Sequence, residues 1–96
     1  LPALVGVAAQ QEAHAFQADN DIAMARMMAA MHVEPTGDVD RDFLVMMIPH
    51  HQGAIDMSEL ALKNAGRDEV KELARKIIAA QKSEIAEYHR LMGHGN

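Results

Sequence analysis

The chain contains no cysteine and no tryptophan, and only one tyrosine and two phenylalanines among its 96 residues. Without cysteine, disulfides, thiolate metal sites and cysteine nucleophiles are excluded, so any soft-metal site must be built from methionine and histidine. With so few aromatics the core must be aliphatic, filled by Leu, Ile, Ala and the 8 methionines. Three prolines and few β-branched runs favour an all-α chain. Basic residues form no cluster and the formal charge is −5, which argues against nucleic acid, whose phosphates need grouped Lys and Arg.

Long apolar runs are also missing. The opening LPALVGVAA is too short for a membrane span. It starts at Leu1 rather than Met and puts Val7 and Ala9 at the small-residue positions of a signal-peptide tail, which leads to an expectation of export to the periplasm or beyond. The other reading is that Leu1 to Ala9 simply opens the first helix. The expected organisation is an N-terminal helix over 1–22, partly signal-derived on the first reading, a helical domain over 23–93 and a tail at 94–96.

What is present is concentrated in MMIPHHQGAIDM, residues 46–57, where three methionines and two adjacent histidines fall in a helical pattern. At about 100° per residue, Phe43, Met47, His50, Ala54, Met57 and Ala61 lie within roughly 40° of one line, the apolar stripe of an amphipathic helix. Met46 and His51 flank it. Pro49 has no N–H for the carbonyl of Val45, and a kink is expected there.

Caps and breakers divide the chain into antiparallel helices. The first is expected over 5–32, with a break left open at Asp19, Asn20 and Asp21, so three or four helices are allowed. Pro35, Thr36 and Gly37 form a loop, Asp38 caps a helix running to Asn64, Gly66 supplies its C′ position, and Asp68 caps the last helix. That helix carries Val70, Leu73, Ile77, Tyr88 and Leu91 on its stripe, with Gln81 and Glu84 in the middle of it. A carboxylate and an amide on a face meant for burial need an answer across the interface. If the second and third helices fold back around Gly66, residues whose numbers sum to about 131 are level, which pairs His50 with Gln81, Met47 with Glu84 and Phe43 with Tyr88. The first loop, with a sum near 71, brings Met24 level with Met47 and Asp21 level with His50.

Thioether and imidazole donors without thiolate suit Cu(I) or Ag(I). Candidate ligands are His50, His51, Met47, Met57 and Met46, with Gln81 and Glu84 behind them and Met24, Met28 and Met31 as a second cluster. Methionine is also a flexible core filler, so this second group is either packing or site. A di-iron centre would need Glu-x-x-His pairs, and no Glu is followed three residues later by His. No His-Glu-x-x-His motif, catalytic triad or phosphate loop is present, so a binding protein rather than an enzyme is expected.

DRDFLVMMIPHHQGAIDMSELAL, with ELARKIIAAQKSEIAEYHRLM after it and MARMMAAMH before it, resembles the domain-of-unknown-function family three hundred and five, over residues 24–92. The resemblance implies a ferritin-like antiparallel helical bundle, usually exported or membrane-anchored, some of whose members bind copper or silver through Met and His. By position, its signature residues here are Phe43, Met47, His50, His51, Ala54, Met57 and Gln81. Tyr88 stands where relatives often carry Met. The functional expectation is an exported Cu(I)/Ag(I)-binding protein in copper storage, tolerance or delivery. The alternative is a metal-free structural or interaction bundle in which the histidines fix helix register. Pairing of two copies to cover a leftover apolar face is a further expectation.

Overall fold

A computed structural model describes the backbone of residues 2–93 and the side chains of residues 6–93. The expected 94–96 tail, and the side chains of residues 1–5 in the leader reading, lie outside the described residues. The described chain is an all-α helical bundle: α1 (Pro2–Met31), α2 (Val39–Asn64) and α3 (Asp68–Leu91). No described helix is long and apolar enough to cross a membrane.

Local chemistry explains most boundaries. Asp38 caps α2, its carboxylate accepting the N–H of Arg41 at 3.3 Å. Asp42, one turn in, accepts the Thr36 N–H at 3.0 Å and the Thr36 hydroxyl at 2.7 Å, which ties the loop onto the helix start. The Thr36 hydroxyl bond, seconded by its backbone N–H, holds the Asp42 carboxyl below its ordinary value of 3.8. Gly37 turns the chain at φ +90, a region other residues rarely adopt. The cap-forming trio at Asp19, Asn20 and Asp21 does not break α1, which runs unbroken through it; turns on both sides continue the same ladder, and Asn20 satisfies itself with Met24 Sδ at 3.6 Å.

Of two expected caps, one keeps its position and one shifts by a residue. Gly66 follows the C-cap Ala65 as expected, but Ala65 is extended and Gly66 is not left-handed, so the α2–α3 turn is an extended link and not a glycine cap. Arg67, without a side-chain cap bond, precedes α3, and Asp68 is its first residue, where its charge favours the helix N-terminus. Pro49 lies inside α2, which is assigned as one helix.

α2 is the middle element. It packs on α1 along one side and on α3 along the other, while α1 and α3 make no contact with each other among the described residues. The α1 side is Pro49, Gly53, Leu60 and Asn64, which meet Met27, Ala23 and Phe16. Gly53 permits the closest approach: a Cβ there would fall 2.8 Å from Met27 Cγ. The α3 side is His51, Ile55 and Ser58, roughly half a turn around the helix from Gly53. The three helices therefore form an open layer.

Met27 over Gly53 and Phe16 beside Asn64 make residues summing to about 80 level across the α1–α2 seam. This corrects the sum near 71 expected from the loop. The loop at residues 32–38 runs back along the first turns of α2 instead of closing tightly, so Met24 stands level with Asp56 and Met57 rather than with Met47. The first turns of α1 consequently reach about 20 Å past the end of α2, which accounts for the 60 Å longest dimension.

Candidate functional site

His50 and His51 are neighbours on α2 and point about 100° apart. His51 is buried and faces α3. Its Nδ1 lies 2.9 Å from Glu84 Oε2 and also within hydrogen-bond reach of Gln81 Oε1. Both partners accept, so Nδ1 carries the proton and donates. Nε2 then accepts the Tyr88 hydroxyl at 3.0 Å, and the Tyr88 ring lies tilted against the imidazole with centroids 5.0 Å apart. Every polar atom of the His51 ring is thus engaged by α3, one turn after another.

The expected α2–α3 register holds, with Phe43 and Tyr88 lining one groove at the open end of the hairpin. What differs is the histidine: the structure brings His51, not His50, to Gln81 and Glu84. The reason lies in the stripe. Helix α3 docks about a quarter turn away from the line Phe43, Met47, His50, Ala54, Met57 and Ala61, on the flank that carries His51. Docking there answers the amide and acid with a ring that has one donor and one acceptor to offer.

His50 is exposed. Among the described residues its ring makes no hydrogen bond and meets His51 edge-on, with centroids 5.7 Å apart. Met46, Met47 and Met57 are half-buried around it on α2. On α1, Met31 is half-buried while Met24 and Met28 are exposed, Met28 by 64%. By register, Met28 and Met31 bracket the level of His50, and Met24 stands level with Met57.

These residues share one side of the layer. On the opposite side, Asp19, Ile22 and Arg26 of α1 line a groove with Asp56, Glu59 and Lys63 of α2. Met24, Met28 and Met31 lie round α1 from that groove, on the side where Phe43 meets Leu91 of α3. The second methionine cluster and the α2 stripe are therefore parts of one surface, which the individual helices do not reveal. Among the described residues no three His, Asp or Glu side chains gather as a metal ion would require, so a site here must draw on thioether sulfur.

Two contributors were not legible as such in the sequence. Tyr88 reads as stripe, although a buried tyrosine hydroxyl always needs a partner, and His51 supplies it. Gly53 reads as a neutral break, but glycine inside a helix is unfavourable unless a neighbour needs the space, and Met27 occupies it. No curated protein matches the sequence. The Met-Ile-Pro-His-His turn, Gly53 and the Gln81, Glu84 and Tyr88 that answer His51 all fall within residues 4–92, matched by the family model described as a domain of unknown function (DUF305), and the chain belongs to that family.

Proposed function

We propose that this protein binds a soft monovalent ion, Cu(I) with Ag(I) as an alternative, and serves copper storage, tolerance or delivery in an exported setting. The observation that carries this reading is the one surface on which an unpaired imidazole and six thioethers collect in a chain without thiols. The donor chemistry fits: thioether sulfur and imidazole nitrogen select soft ions, and carboxylates, which would favour harder ones, are absent from the His50 turn. Met46, Met47 and Met31 with His50 form the first-choice ligand set, with Met28 at its edge. Met24 and Met57, level with each other, form a second group.

In this reading the two histidines divide the work. His51 pins α3 and thereby fixes the rotation of α2, while His50 is held outward with a free ring. When bound, the ion would be held by sulfur and nitrogen lone pairs, and the chain's own contribution is to keep those donors on one rigid surface. The test is a Cu(I) titration of the purified chain against a colorimetric chelator. Uptake at a fixed ratio is expected, with loss of the tight fraction in a Met46→Leu, Met47→Leu, His50→Ala variant, whose leucines preserve packing volume. Unchanged uptake in that variant overturns the assignment.

The alternative, a metal-free structural module, is supported by the satisfied His51 ring alone. It predicts that His51→Leu disturbs the bundle in metal-free buffer while His50→Leu does not affect any property of the chain. A change in metal uptake by His50→Leu at unchanged helicity counts against it.

A further inference from the structure

The layer has two open sides of opposite character. One carries Asp19, Arg26, Asp56, Glu59 and Lys63. The other carries Phe43 and Leu91, which line one groove, together with Leu73 and Met28, and these side chains are left uncovered: Phe43 is 49% exposed, Leu73 57%, Leu91 55% and Met28 64%. The same rotation that brings His51 onto Gln81 turns the line of Phe43, Met47 and His50 away from α3, while on α3 Gln81 and Tyr88 face α2 and Leu73 and Leu91 stay outside. Among the described residues, meanwhile, no large side chain is fully buried, and the buried apolar ones are Ala23, Ile55 and Ala74. A stable domain packs two layers around a core, and this chain supplies one.

We propose that a second copy of this chain covers the apolar side, giving a two-layer, two-fold pair with His50 and the thioethers enclosed between the copies. Three features select a second copy as the occupant. First, the area is adequate: α2 is 26 residues long and the layer is 25 Å wide, a footprint of about 1,000 Å² per copy, against about 800 Å² per partner in a standard stable interface. Second, the surface is self-compatible. A two-fold pair sets each patch against itself, and the charges on it are few, Asp40 beside Phe43 and Glu84 beside His51, against five charged residues along the opposite side. Third, a lipid surface is disfavoured by the chain's −5 charge and by Glu84 on the same side, where membrane-surface helices carry Lys and Arg. The inference does not depend on metal binding.

The test is sedimentation equilibrium of the metal-free chain over a wide concentration range. A mass of about 21 kDa is expected, twice the 10.5 kDa of one chain. Leu73→Glu with Leu91→Glu should halve that mass at unchanged helicity, because neither side chain is buried within the chain, whereas Ile22→Glu on the charged side should leave it intact. Should the double variant fail to fold, Leu73→Cys in this cysteine-free background should be joined between copies by a long flexible bis-maleimide, and Glu59→Cys should not. A wild-type chain at 10.5 kDa throughout overturns the proposal. So does a single-copy chain that co-sediments with phosphatidylglycerol vesicles, which assigns the surface to lipid, and so does equal cross-linking at Leu73→Cys and Glu59→Cys.

Discussion

The two seams of α2 are held by different physics. Along α1 the contact is one of shape: Gly53 lets the Met27 side chain lie against the α2 backbone, with Ala23 and Phe16 continuing the line. Along α3 the contact is directional: one imidazole reaches Gln81, Glu84 and Tyr88 over two turns. Close packing sets how near two helices come, but methionine is pliable and tolerates small slips along the axis. A ring with one donor and one acceptor tolerates none. The α3 seam therefore fixes register, and the α1 seam fixes distance.

Breaking the shape seam should cost most. Gly53→Leu forces a branched side chain into the space of Met27 and is expected to destabilise by about 3 kcal/mol in urea unfolding, with partial recovery when Met27→Ala is added. Full stability of the single variant would mean that α1 is not seated on Gly53. Next is the directional seam: His51→Ala strands the groups it joins, for an expected loss of about 2 kcal/mol, whereas His50→Ala should stay within about 0.5 kcal/mol of wild type. Equal losses for the two alanines would erase the distinction between pinned and presented rings.

The smallest effect concerns the loop clamp. The Asp42 carboxyl is held below 3.8 in the folded chain, so its contribution is complete above that pH and is lost as acid takes the pH through the lowered value. Asp42→Asn should remove this part of the acid sensitivity by giving up the same small contribution at neutral pH, read as a slightly lower urea midpoint at pH 7 and a shallower fall of that midpoint in acid.

The all-α class, the Asp38 cap and the α2–α3 register could be read from the sequence because each depends on composition, on local chemistry or on equal rise along two helices joined by a short link, whereas the helix number stayed open at three or four until α1 proved unbroken. The choice between His50 and His51 could not. A stripe identifies a helix's most apolar line, but docking took the flank where hydrogen bonds are completed, with His51 joined to Gln81, Glu84 and Tyr88 and His50 left exposed. The α1 register was missed for a related reason. The loop at residues 32–38 has seven positions, and nothing in their order says that Thr36 folds back onto Asp42.

Because α1 and α3 do not meet among the described residues, the fold has the connectivity of a hinged triptych rather than a closed ring. Either outer panel can swing off the centre without disturbing the other, so local opening is divided into two separable events with their own free energies. For a surface that spans all three panels, this means the methionines on α1 can part from those on α2 while His50 keeps its place; under the proposed function, that parting would be the step that admits or releases the ion.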